Sequence, residues 1–184
     1  MTSLKYVGMA VCLVSVSMAA GCAQGHRIAG GDAKIAEAED SAAFLDRVSS
    51  QTKVTENDAL RGILLLVDGK DTEATFDLRI KALTSRKIAD PSWEYAANKP
   101  VSRGKMAYMI YQACKMQGGV TLMLTGPTQR YCLREMQFIK MFGAGAVYGD
   151  VSGMEFVSIL NRADDYIHKP GNKFSEAANA AESY

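Results

Sequence analysis

The chain has 184 residues with 21 basic against 20 acidic side chains, a formal charge of +1. That balance offers no overall basic face, so nucleic acid and strongly anionic surfaces are not expected as partners. The two histidines, His26 and His168, stand too far apart for a two-histidine metal helix or a Cys/His zinc spacing, so neither metal nor cofactor is expected.

Residues 1–21 read as an export signal. Lys5 supplies a small positive start, and Val7 to Ala20 is an apolar stretch of 14 residues, short of the roughly 20 that a membrane span needs. Ala19-Ala20-Gly21-Cys22 resembles a bacterial lipobox. That resemblance implies a lipid on Cys22, of a class with more than one acyl chain, which is enough for stable membrane anchoring. A non-lipid signal cut near Ala19 or Ala20 is the alternative. Ala23 follows the cysteine in place of an aspartate retention signal, so the implied location is the bacterial cell envelope, with the outer membrane favoured. Residues 22–34 are rich in glycine and small side chains and read as a flexible tether.

From Ile35 to Val48 an apolar stripe, with acids early and Arg47 late, predicts a helix. A phrase then recurs three times: Val54-Thr55-Glu56-Asn57-Asp58-Ala59, Val101-Ser102-Arg103-Gly104-Lys105-Met106 and Val151-Ser152-Gly153-Met154-Glu155-Phe156. Each copy has the chemistry of a helix entrance. Thr55, Ser102 and Ser152 can cap first-turn N–H groups, and the valine before each cap faces an apolar residue at the fourth helical position. Behind them Ala59, Gly62, Ile63 and Leu66 superimpose on Met106, Met109, Ile110 and Ala113, and on Phe156, Ile159, Leu160 and Ala163. The spacing is helical, so those faces are core.

A second signal, Phe76-Asp77-Leu78-Arg79 and then Tyr131-Cys132-Leu133-Arg134, starts a second helix in the first two units. The first runs through Ile80 and Leu83 towards Ile88, the second through Met136, Phe138 and Ile139 towards Phe142. Between the units, Asp90-Pro91 and Lys99-Pro100 bracket an extended crossing, and Gly143, Gly145 and Gly149 make a flexible connection. Gly118 to Leu124 alternates in the manner of one short strand. Pro170 and Gly171 interrupt what remains after the third entrance, so the helix over 35–48 is expected to pack on the third unit.

The residues from Arg79 to Ala113, with Ala82-Leu83, Ile88, Trp93, Tyr95, Pro100 and the 101–107 entrance, resemble the S-layer homology motif. That resemblance covers roughly 54–167 and implies a mostly α, pseudo-threefold domain of three helix-loop-helix repeats, near 54–100, 101–150 and 151–167, within a domain spanning 35–167. A polar tail, 168–184, follows. The family's arginine after the cap is matched by Arg103 alone, with Glu56 and Gly153 in the other copies, and its glutamate by Asp58 and Glu155. The glycine usual before the helix-ending isoleucine is Lys87.

The middle entrance breaks the rule that acids favour a helix's first turn, carrying Arg103 and Lys105 with Lys99 upstream. Ser102, Arg103, Lys105 and Lys99 make a candidate seat for a carboxylate or phosphate, beside which Trp93 and Tyr95 could stack on a sugar. The alternative is that Arg103 and Lys105 pair with neighbouring acids while Trp93 fills the core. Cys114 and Cys132, 18 residues apart, could form a disulfide or remain two buried thiols. Asp68 to Glu73 has oxygen ligands without the calcium-loop register and reads as a polar turn. The expected function is a non-catalytic, lipid-anchored envelope module, with cell-wall polysaccharide as the ligand the resemblance implies. A protein partner docking on the methionine-rich middle unit is the alternative. An envelope-polymer-modifying enzyme using Glu135 or Glu155 as general acid lacks the second carboxylate such chemistry requires.

Overall fold

Capping side chains set where five of the seven described helices begin. In the computed structural model, which describes residues 40–168, Thr55 accepts from the Asp58 N–H at 3.1 Å, Ser102 from the Lys105 N–H at 3.2 Å and Ser152 from the Glu155 N–H at 3.3 Å. The chain is mostly helical. Its described elements are α1 (Ser41–Ser49), α2 (Glu56–Asp68), α3 (Phe76–Ser85), α4 (Arg103–Ala113), α5 (Val120–Thr125), α6 (Gln129–Phe138) and α7 (Gly153–His168). The export signal, Cys22, the tether, residues 35–39 and the tail from 169 onward lie outside the described residues.

The three capped entrances close a ring. The Glu56 N–H donates to the Lys99 carbonyl at 2.8 Å, the Arg103 N–H to Gly149 at 2.8 Å, and the Gly153 N–H to Gln51 at 2.9 Å. Each helix start thus spends its first free donor on the segment leading into the next. Inside this ring the Val54 N–H bonds the Val151 carbonyl and the Val101 N–H bonds Val54, both at 2.9 Å, and all three valines are buried. The stripes predicted for α2, α4 and α7 converge behind them, with Ile63, Met106, Ile110, Phe156 and Ile159 fully buried.

Each ring helix carries a partner: α3 on α2, α6 on α4, and α1 on α7. The third unit therefore takes its second helix from the N-terminal side of the chain. The end of α1 comes so close to the start of α7 that a Cβ at Gly153 would collide with the carbonyl oxygens of Val48 and Ser49. Phe44 and Val48 of α1 are fully buried. Leu45 shares a cleft with Leu160 and Asp164 further along α7, so the two helices run antiparallel.

Two sequence expectations need correction. The run Gly118–Leu124 is not a strand: Val120–Thr125 is helical, Leu122 is buried, and the described residues contain only isolated bridges, Thr55 with Pro100 and Ser102 with Asp150. Six residues, four of them apolar, fit either period, and with no strand to pair with among the described residues, the helix satisfies its own N–H groups. The second helices also align differently from their look-alike phrases. Their caps are Thr75 and Thr128, and both end at a lysine with positive φ, Lys87 and Lys140. Both markers lie 53 residues apart, not the 55 that Phe76-Asp77-Leu78-Arg79 and Tyr131-Cys132-Leu133-Arg134 suggest. Arg134 is therefore not the counterpart of Arg79, and Phe138 faces outward, not into the core.

Candidate functional site

The predicted anion seat at the start of α4 is occupied by the protein itself. Its first three N–H groups go to the Gly149 carbonyl, the Val147 carbonyl and the Ser102 hydroxyl. Arg103 is 8 % exposed and bound to Glu155, its Nη1 lying 2.7 Å from Oε1 and 2.8 Å from Oε2, while Nη2 donates to the Gly143 carbonyl at 2.6 Å. The glycine segment read as a flexible connection folds over this guanidinium, leaving no room for a Cβ at Gly145. The Arg103 Nε is buried beneath it without a hydrogen-bond partner.

Lys105 is equally committed. Its ammonium lies 2.6 Å from Glu56 Oε1, donates to the Glu94 carbonyl at 3.0 Å, and sits 5.4 Å and 5.0 Å from the ring centres of Trp93 and Tyr95. Trp93 also packs edge-on against Tyr108, and the Tyr95 hydroxyl donates to the Asp90 carbonyl. Burial, with the Asp90 and Glu56 carboxylates adding to it, holds the Tyr95 phenol protonated well above its ordinary range. Both rings are thus occupied by their own chain. Lys99 is exposed and serves through its backbone carbonyl.

A rule links these pairs. The first helical residue of one unit bonds the third helical residue of the next: Glu56 with Lys105, and Arg103 with Glu155. At the third junction Gly153 has no side chain to offer, and Asp58 is held instead by Arg47 at 3.2 Å and Gln51 at 3.1 Å, from α1 and the turn after it. The cations at the middle entrance are there because both neighbours present acids. This also commits Glu155, one of the two candidate general acids.

The remaining candidates sort as follows. Cys114 and Cys132 are free thiols, Cys132 fully buried, and desolvation pushes both up to about 12, so neither is a nucleophile at neutral pH. In the Asp68–Glu73 turn, Asp71 accepts from Arg79 at 2.7 Å and from the Glu73 N–H, while Arg79 also donates to Asn57 and the Glu73 carbonyl. Of the methionines in the middle unit, Met106, Met109, Met116, Met136 and Met141 are buried in the core, and Met123 is the exception at 80 % exposed.

That exception marks a surface the sequence reading missed. Val120, Met123 and Leu124 of α5 and Phe138 of α6 all stand in solvent, and beside them a cleft of about 230 Å³ is lined by Thr121, Leu122, Tyr131, Arg134, Glu135 and Phe138. Strand-like alternation concealed it, because a strand would have buried every second residue of that run. Arg130 and Arg134 make no ion pair or side-chain hydrogen bond among the described residues. No known protein family, curated protein or solved structure matches the chain.

Proposed function

We propose that the protein is a non-catalytic binding or scaffolding module of a bacterial cell envelope, tethered through lipid on Cys22. The observation that carries this reading is the outer face of the middle unit, where the exposed apolar side chains of α5 and α6 adjoin two α6 arginines that have no partner among the described residues. A face of that composition is what a docking surface requires. The ring of capped entrances supports the resemblance to the S-layer homology motif, and the export signal with its lipobox supports the envelope location.

Polysaccharide binding at the middle entrance would need Arg103 and Lys105 to exchange Glu155 and Glu56 for a ligand, at the cost of leaving the buried Glu56 and part-buried Glu155 carboxylates unpaired. Docking on the α5–α6 face needs no such exchange. The test compares the full chain with its Cys22→Ser variant in cells. Wild type is expected in the membrane fraction with the mass of added acyl chains, and the variant without them. A mature wild-type chain lacking lipid would overturn the tethered reading. Incubating wild type and Arg103→Ala with purified sacculi tests the entrance: equal retention is expected, and loss confined to the variant would restore the polysaccharide reading.

A further inference from the structure

The chemistry of the α5–α6 face indicates what it rests against. Val120, Met123 and Leu124 are 72 %, 80 % and 81 % exposed, and their i, i+3, i+4 spacing sets them on one side of α5, with Leu122 turned inward. Phe138 of α6 is 78 % exposed. These side chains protrude as an apolar ridge along the edge of the cleft that Phe138 and Arg134 line.

The charges point the same way. Of the eight arginines in the described residues, six are committed: Arg47 to Asp58, Arg61 and Arg79 to Asp71, Arg86 to Asp68, Arg103 to Glu155, and Arg162 to the Met141 carbonyl. The two left over, Arg130 and Arg134, sit one turn apart on α6, and Arg134 lines the same cleft as Phe138. Residues 115–140 hold four cations, Lys115, Arg130, Arg134 and Lys140, against one carboxylate, Glu135. The near-neutral charge of the whole chain hides this local excess.

We propose that this face lies on the headgroup region of an anionic phospholipid bilayer, with the α5 side chains entering the interface and Arg130 and Arg134 pairing with phosphates. A fluid interface accepts a protruding apolar ridge without shape complementarity, and its negative potential draws the neighbouring cations. The proposal takes from the tethered reading only proximity. Seventeen residues separate Cys22 from Asp40, a reach of about 60 Å when extended, which would hold the face at high effective concentration beside the membrane.

The test uses residues 23–184, which contain the whole core from Phe44 to Ala163, in flotation with vesicles of phosphatidylcholine alone or with added phosphatidylglycerol. Binding is expected only with the anionic lipid, weakening as salt rises. Arg130→Glu/Arg134→Glu and Met123→Asp/Leu124→Asp should each lower it at least about tenfold. Met154→Asp, equally exposed but on α7, should leave it unchanged, with circular dichroism confirming that every variant folds. Absence of flotation with anionic vesicles would overturn the proposal and leave the face to a protein partner. So would an equal loss in Met154→Asp, or complete competition by inorganic phosphate. Because the tested chain lacks Cys22, failure here leaves lipidation standing, and an unlipidated Cys22 leaves the vesicle result standing.

Discussion

Glu56 is 3 % exposed and yet ionisable, a position that is tolerable only because Lys105 and the Ala96 N–H hold its two oxygens at 2.6 Å and 2.9 Å. Removing one member of such a pair strands the other. Lys105→Ala is therefore expected to cost about 3 kcal/mol in denaturant unfolding, whereas Glu56→Gln/Lys105→Gln, which buries no charge, should recover much of that loss. Strict additivity of the two single changes would mean that the pair is not coupled. The desolvated thiols, Cys132 buried and Cys114 partly so, give a second residue-scale expectation. Their folded values, about 12, lie above the ordinary value of 9.0. Stability from this source is complete below pH 9 and is lost as pH climbs towards 12, because the unfolded chain gives up protons that the folded chain keeps. Each thiol should steepen the fall by about 1.4 kcal/mol per pH unit. Unfolding curves across that range, repeated with Cys132→Ala, check the slope; an unchanged slope would contradict the buried-thiol account.

At the scale of elements, the three ring-helix starts were legible, the starts of α5 and α6 and the helix ends much less so. Thr55, Ser102 and Ser152 announce themselves because a cap is a contact between residues three apart, and the apolar stripes follow from the same local periodicity. That Arg103 and Lys105 could pair with acids was legible, but not with which, since Arg103 and Glu155 are 52 residues apart and meet only when the ring closes. The arginines left over on α6 could be recognised only once the partners of the other six were known. Helix ends were hidden by unusual chemistry. α3, α4 and α6 each turn through a lysine with positive φ, Lys87, Lys115 and Lys140, where glycine is the ordinary choice. After each turn the chain re-enters the core, at Ile88, Met116 and Met141. A left-handed lysine carries a steric cost that glycine avoids, so Lys140→Gly is expected to raise stability by about 0.5–1 kcal/mol. Lys81→Gly, inside α3, should lower it by about 1 kcal/mol. A loss at both positions in thermal melts would mean that Lys140 makes a compensating interaction.

For the whole molecule, chain order and spatial order disagree at one junction only. α2 is followed by its partner α3, and α4 by its partner α6 after the short α5, but α7 takes as partner a helix made some hundred residues earlier. α1 does at this junction what a side chain does at the others, since its end fills the space above Gly153 and Arg47 takes over Asp58. Antiparallel packing of α1 on α7 leaves the start of α1 near the end of α7. A permuted chain beginning just before α2, with residue 168 joined to residue 40 by a linker as long as the Gly69–Thr75 connection, would give all three units the same order. Its core would be the same set of side chains, so its equilibrium stability should fall within about 1 kcal/mol of the parent. Its folding should be faster, because bringing α1 to α7 would no longer require closing a loop of that length. Stopped-flow refolding separates the two effects. A permutant that is stable but no faster would show that α1 docks after the rate-limiting step, and one that fails to fold would show that α1 must precede the ring.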